Sequence, residues 1–153
     1  MTGSMTEHSL TIRPIADGEE AAVLALWQAC GLTRPWNDAA QDLAFARGKP
    51  NSDVLVGLAD GIIVASAMVG HDGHRGTMYY VGVDPALRGR GFGRHMVTAA
   101  EAWLKERGVW KVNLLVRTDN EGVLGFYDGL GYAAGSSVSI EKWIDPAKRG
   151  DRR

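Results

Sequence analysis

A single cysteine, Cys30, leaves the 153-residue chain without an internal disulfide. Cys30 falls on the apolar stripe of a helical stretch, so a small buried hydrophobe is the plain reading, ahead of a catalytic thiol. Charge of one sign is also scarce. Seventeen Lys and Arg stand against eighteen Asp and Glu, for a net charge of −1. That balance gives no global pull toward nucleic acid or an anionic membrane. No apolar run reaches the length needed to span a bilayer. No basic-then-apolar leader opens the chain, so a cytoplasmic protein is expected. Internal repeats, low-complexity segments and linkers are all missing. What is present is 45% hydrophobic residues, enough for one domain with a core. That domain is expected over residues 9–145, with tails at 1–8 and 146–153.

Leu10 to Pro14 alternates apolar and polar and reads as a strand, at an edge because Pro14 cannot donate to a ladder. Asp17-x-x-Glu20 has the capping-box spacing, and Val23, Leu26, Trp27 and Cys30 mark the helix behind it, ended by Gly31. Asp38-x-x-Gln41 predicts a second, shorter helix to about Arg47. Between them, Trp36 stands beside Pro35 in a polar loop. It is either a lid over a site or an anchor into the core, and the anchor is preferred. Asp53 to Ala59, the turn Asp60-Gly61 and Ile62 to Val69 predict a hairpin. A longer loop, His71 to Gly76, leads to a third strand from Met78 to Val83. His71, Asp72 and His74 fit no strong metal spacing, so solvated loop residues or the mouth of a substrate site are the better readings. No metal is expected.

One stretch organises the rest: Val81-Gly-Val-Asp-Pro-Ala-Leu-Arg-Gly-Arg-Gly-Phe-Gly-Arg94. The strand should stop at Pro85. Gly89, Gly91 and Gly93 follow at alternate positions. Met96, Val97, Ala100, Trp103 and Leu104 then recur at helical spacing, up to Gly108 as a C-cap. A glycine loop running into a helix N-terminus offers unpaired N–H groups at the positive end of a dipole. That is an anion site suited to phosphate or pyrophosphate. A P-loop needs Gly-Lys-Ser/Thr, whereas Arg94-His95 follow Gly93. A dinucleotide site needs G-x-G-x-x-G, and the spacing here is G-x-G-x-G. The plainer alternative is an ordinary strand–helix turn. Trp110 to Arg117 reads as the next strand, parallel to the one before the helical crossover. Asn120 to Leu130 reads as a helix despite Gly122, Gly125 and Gly129, each costing about 0.5–1 kcal/mol against alanine. Val138 to Ile144 reads as a last strand.

Arg88-x-x-Gly91-x-Gly93 after a Val-x-Pro strand end resembles the acyl-CoA pyrophosphate loop of the GNAT superfamily of acyltransferases. Asn120, then Phe126-Tyr127, then Leu130-Gly-Tyr132 is similar to a second pattern of the same superfamily, in the right order. The likeness runs from about Asp53 onward. Arg34 to Asp38 and Asp72 to Gly76 also look like a bacterial subgroup typified by YpeA proteins. The resemblance implies an α/β domain, a central mixed sheet with helices on both faces, antiparallel first and parallel in the middle. It implies an N-acetyltransferase with acetyl-CoA as cosubstrate and an amine acceptor.

Residue by residue, the resemblance puts the pyrophosphate on the amides of Arg88, Gly89, Arg90, Gly91, Phe92, Gly93 and Arg94. The three arginines add charge there, although solvated surface arginine is the plainer alternative. Val81, Gly82 and Val83 would splay from the neighbouring strand, pair with the pantetheine arm and aim one N–H at the thioester oxygen. Asn120 would contact pantetheine, or cap its helix. Phe126 and Leu124 would pack near the cosubstrate. Tyr127 matches the general acid, since a phenol of pKa about 10 can donate to a leaving thiolate. Gly125, where the superfamily often has alanine, would let a cosubstrate or neighbouring backbone approach. Trp36, Asn37, Asp38, Asp72, His74 and Tyr80 are candidates for acceptor contact. The usual glutamate base is missing from Met78 to Val83, which leaves Asp38, Asp72, His74 or water. A small molecule and a protein N-terminus both stay open as acceptor; the cosubstrate motifs also resemble those of ribosomal-protein N-acetyltransferases. The alternative function is a non-catalytic acyl-CoA-binding or sensing module. Dimers are common in the superfamily, and five tryptophans would supply an interface for a homodimer.

Overall fold

The computed structural model describes residues 9–117 and 120–149; the expected tail at 1–8 and the end of the other, 150–153, lie outside them. The chain runs β1 (Thr11–Pro14), α1 (Glu20–Ala29), α2 (Ala39–Ala46), β2 (Ser52–Ala59), β3 (Ile62–His71), β4 (Gly76–Val83), α3 (Phe92–Glu106) and α4 (Glu121–Asp128). Short 3-10 turns occupy Pro85–Leu87 and Pro146–Lys148. The four strands form one antiparallel sheet in chain order, with β1 and its Pro14 at the edge as expected. Asp60 and Gly61 both take positive φ, 51° and 78°, the tight hairpin turn their sequence calls for.

Helices cover both faces of the sheet, which explains why β2 and β3 are apolar almost throughout. On one face, Leu55, Ala65, Ala67, Val69 and Met78 pack against Met96, Val97, Ala100, Trp103 and Leu104 of α3. On the other, Val54, Val56 and Met68 meet Val23 and Trp27 of α1 and Leu43 and Ala46 of α2. The fold is α/β.

Four expectations are corrected. The strand over 110–117 is not built. Val112 makes one parallel bridge with Gly76, whose N–H donates to the Lys111 carbonyl at 2.9 Å and whose carbonyl accepts from Asn113 at 2.8 Å. The parallel sense is right, but the ladder ends there, and a bulge further along β4 interrupts the even edge that a parallel partner needs. Residues 138–144 also form no strand. Val138, Ile140 and Ile144 lie exposed, and alternation alone cannot make a strand without a neighbour to pair with. Trp36 is no core anchor: it is 36% exposed and belongs to neither buried cluster. Cys30 is half-buried at the end of α1 rather than in the core, and its Sγ donates to the Val83 carbonyl at 3.2 Å.

The capping box before α1 does not form either. Glu19 is the N-cap residue and makes no side-chain cap bond. Arg47 draws the other carboxylates away, pairing with Asp17 at 3.0 Å and with Glu20. Glu19 instead pairs with Arg13 at 2.7 Å and accepts from the Ala16 amide at 2.8 Å. The Arg13 bond and then the Ala16 amide hold its carboxyl down at about 2. A depressed acid stabilises the folded state above its ordinary pKa and loses that contribution as pH falls through the folded value. The stability difference between wild type and Glu19→Gln is therefore expected to be constant above about pH 5 and to shrink toward pH 2, read by denaturant melts at each pH. α2 follows its sequence more closely, since the Asp38 carboxylate accepts from the Gln41 amide at 3.1 Å.

Candidate active site

Pairing of β3 with β4 slips between Ser66–Gly82 and Met68–Tyr79. One residue of β3, Ala67, therefore faces two of β4, Tyr80 and Val81. This is a β-bulge, and Tyr80 carries its strain with φ +51°. Three contacts hold Tyr80 there. Its ring stacks on Trp27 with centroids 3.8 Å apart. Its carbonyl accepts from Ser66 Oγ at 2.9 Å, and Ser66 in turn accepts from Trp27 Nε1 at 2.8 Å. Its hydroxyl donates to Asp42 Oδ2 at 2.7 Å. Burial first, and then Asp42, push the Tyr80 hydroxyl well above the usual phenol range, so it stays protonated.

The inserted residue reverses the hydrogen-bonding phase of β4. Backbone groups alternate sides along a strand. Gly76 bonds outward, away from β3, to Lys111 and Asn113. Asp84, also an even position, donates inward to the Val64 carbonyl at 2.7 Å. Parity has flipped between them, so Gly82 faces β3 while Val81 and Val83 face the outer edge. Beyond Gly76 that edge has no strand partner among the described residues.

The edge runs into the glycine loop. Asp84 closes the 3-10 turn by accepting from the Ala86 amide at 2.9 Å. Gly89 and Gly91 take φ +83° and +81°, and Gly91 is the N-cap residue of α3. The first helical bond of α3 comes from the His95 amide to the Gly91 carbonyl, which leaves the amides of Phe92, Gly93 and Arg94 before it. Arg88, Arg90 and Arg94 are exposed and take part in none of the ion pairs among the described residues. The loop therefore fits an anion: positive-φ turns, open amides and three uncommitted guanidinium groups. Gly91→Ala puts a side chain on left-handed backbone, and is expected to cost about 1–2 kcal/mol in a denaturant melt.

α4 meets the same place. A Cβ on Gly93 would lie 3.2 Å from Phe126 and 3.8 Å from Val83, so the end of β4, the start of α3 and α4 converge at that glycine. Phe126 stands edge-on to Tyr127 at 5.0 Å, and Tyr127 edge-on to Tyr132 at 5.4 Å. Tyr127 packs at the margin of the α3 cluster, against which Val81 and Val83 also pack. Burial raises its hydroxyl above the usual phenol range. Tyr132 is fixed by donating to Glu101 at 2.6 Å. Asn120 caps α4, accepting from the Val123 amide at 3.2 Å. Leu124 is exposed. Gly125 borders open space: a Cβ there would meet nothing within 4 Å, so no neighbouring backbone requires a glycine.

Across β4 lies a cavity of about 510 Å³, lined by Arg34, Asn37, Asp42, Phe45, Tyr79, Tyr80 and Leu115 among others. A second, of about 570 Å³, adjoins it through Asn37, Asp42 and Phe45 and reaches Asp38, Trp143 and Lys148. Of the acceptor candidates from sequence, Asn37, Asp38 and Tyr80 therefore line these cavities, and Trp36, Asp72 and His74 line neither. Asp72 closes its own loop, accepting from the His74 and Arg75 amides at 2.9 and 2.8 Å, which hold its carboxyl below the usual range. Sequence reasoning missed Asp42 and Ser66, and placed Trp27 on the apolar face of α1 without its link to the site. Asp42 follows Asp38 by one helical turn, a spacing that would place it on the same face, but nothing local ties it to Tyr80.

The family model "Acetyltransferase (GNAT) family" matches residues 21–132. The chain is 39% identical over 133 residues to acetyltransferase YE1169 of Yersinia enterocolitica, covering 87% of this chain and 94% of that one. Its fold is similar to the Escherichia coli ribosomal-protein-S18-alanine N-acetyltransferase, with TM-score 0.72, 23% identity, and 84% and 80% of the two chains covered. It is also similar to the aminoglycoside N-acetyltransferase AAC(6')-Iy in complex with CoA, with TM-score 0.76, 16% identity, and 89% and 95% covered. With the family model matched over residues 21–132 and a relative 39% identical across 87% of the chain, the chain belongs to the GNAT family of acetyltransferases.

Proposed function

We propose that this chain is an acetyl-CoA-dependent N-acetyltransferase that moves the acetyl group directly to an amine of a small molecule or a protein N-terminus. One observation carries the reading. The phase reversal at Tyr80 turns Val81 and Val83 to an unpaired edge that leads straight into the Gly89–Gly93 loop. An extended amide-bearing arm can pair with such an edge, and its pyrophosphate can rest on the amides of Arg88 to Arg94. The Val81 or Val83 N–H supplies a preorganised donor for a developing oxyanion. Tyr127, protonated at neutral pH, donates to the leaving thiolate. Phe126 packs over Gly93 and narrows the cleft. Asn120 serves first as a helix cap, which leaves its amide nitrogen for pantetheine. Acetyl-CoA supplies the activated acyl group; the protein supplies position, the oxyanion donor and the proton. No described helix is long and apolar enough to cross a membrane, and we place the enzyme in the cytoplasm, where acetyl-CoA is made and used. A YpeA-like subgroup assignment rests on Arg34–Asp38 and Asp72–Gly76 alone.

Amide chemical shifts during an acetyl-CoA titration test the binding half. The expected shifts fall on Val81 to Val83 and Gly89 to Arg94, and equal ATP or NAD leaves them in place. Displacement by either nucleotide would assign the loop to another ligand class. The run Met78 to Val83 holds no carboxylate, and that observation favours a second reading, a binding module without turnover. Tyr127 stands against it, because binding alone needs no acid there.

A further inference from the structure

The cavity across β4 contains a carboxylate with a spare oxygen. Asp42 Oδ2 accepts from Tyr80, while Oδ1 makes no hydrogen bond to any described residue, and Asp42 has no cationic partner among them. Four charged side chains share its two cavities, Asp38, Arg34, Lys49 and Lys148; none forms an ion pair with it, and Lys49 Nζ lies over the Phe45 ring at 3.6 Å. Asp38 caps α2 through the Gln41 amide. Arg34 Nη1 donates to the Gly31 and Thr33 carbonyls at 2.8 and 2.9 Å. The remaining walls include Leu32, Phe45, Met68 and Leu115. A half-buried carboxylate without an ion-pair partner is costly, and a charge-assisted bond to an ammonium relieves that cost.

We propose that Asp42 is the specificity-determining residue for the acceptor: Oδ1 binds the ammonium of an amine whose apolar side chain lies against these walls. Tyr80 is the positioning residue that fixes the carboxylate, itself clamped by Trp27. The word acceptor rests on the acetyltransferase reading; the ammonium site does not. Sequence reasoning looked for a carboxylate on β4 itself, and this one reaches the strand from α2 through the Tyr80 hydroxyl.

Leucinamide and isocaproamide test it, because they share one skeleton and differ by the amine. By calorimetric titration the wild-type protein is expected to bind leucinamide at least about tenfold more tightly, the scale of one charge-assisted hydrogen bond. Asp42→Asn should erase that preference and leave isocaproamide binding unchanged. Tyr80→Phe keeps the ring on Trp27, and should give a smaller loss. Should Asp42→Asn fail to fold, the wild type decides alone. Its preference should fade as pH rises through about 8, where the α-amine loses its charge. The charged and titratable groups around Asp42 are the Tyr80 phenol from β4, the Asp38 carboxylate at the start of α2, the Arg34 guanidinium from the preceding loop, and the Lys49 and Lys148 ammonium groups of the adjoining cavity. Equal wild-type binding of the two probes overturns the proposal, as does a preference that survives in Asp42→Asn. Acetyl-CoA binding is measured in the same samples. If it is absent while the amine preference holds, the enzyme reading fails and the ammonium site stands.

Discussion

Tyr127→Phe is expected to lower kcat by about a hundredfold or more while acetyl-CoA affinity changes by less than about twofold. The magnitude is that of a lost general acid. The separation follows from the packing. The ring is held edge-on between Phe126 and Tyr132, contacts that phenylalanine keeps. The Tyr127 hydroxyl makes no hydrogen bond to the described residues, so its removal leaves no orphaned partner among them. The sign of the pH dependence follows from burial. Burial raises the hydroxyl, so the donating form persists through neutral pH and is lost only as pH rises past the ordinary phenol value of about 10. Thiol release against pH, with calorimetry for acetyl-CoA, reads both effects. Unchanged turnover in Tyr127→Phe would remove this residue from the mechanism.

The second large effect is on the bulge. Trp27→Ala is expected to destabilise the fold by about 4 kcal/mol, since Trp27 is fully buried and is also the surface on which Tyr80 stacks. Ser66→Ala is milder and more telling. It deprives the Trp27 N–H and the Tyr80 carbonyl of their shared partner, for about 2 kcal/mol in a denaturant melt. Without that clamp the strained φ of Tyr80 has less to hold it, and the phase of β4 relaxes. Acetyl-CoA affinity is therefore expected to fall about tenfold in Ser66→Ala, although Ser66 is fully buried within β3. Full affinity in that variant would show that the open edge does not depend on the bulge.

Much of this was legible in the sequence, and the physical reason is locality. The Asp60-Gly61 turn, the Asp38 cap and the apolar face of α3 are each settled by residues a few positions apart, and each is found in place. The glycine loop was legible for the same reason: strand end, proline, alternating glycines and helix lie in one stretch of chain. The capping box at Asp17 and Glu20 failed because Arg47, distant in sequence, competes for both carboxylates. The strands expected at 110–117 and 138–144 failed because a strand is a property of two segments, and alternation reports only one. The Trp27–Ser66–Tyr80–Asp42 network joins α1, β3, β4 and α2, so no window of sequence contains it. Tyr80 was singled out as a contact residue; its strained backbone, and what that does to β4, come only from the pairing register.

The most direct measurement is thiol release from acetyl-CoA by the full chain across an amine panel: amino acids, their amides, polyamines, aminoglycosides, and peptides with free N-termini. The account predicts release with at least one amine class, dependent on Tyr127, with mass spectrometry showing one acetyl group on the amine nitrogen. Acetyl-CoA that binds tightly at Val81 to Val83 yet is never consumed with any amine would contradict it, and leave a binding module in its place.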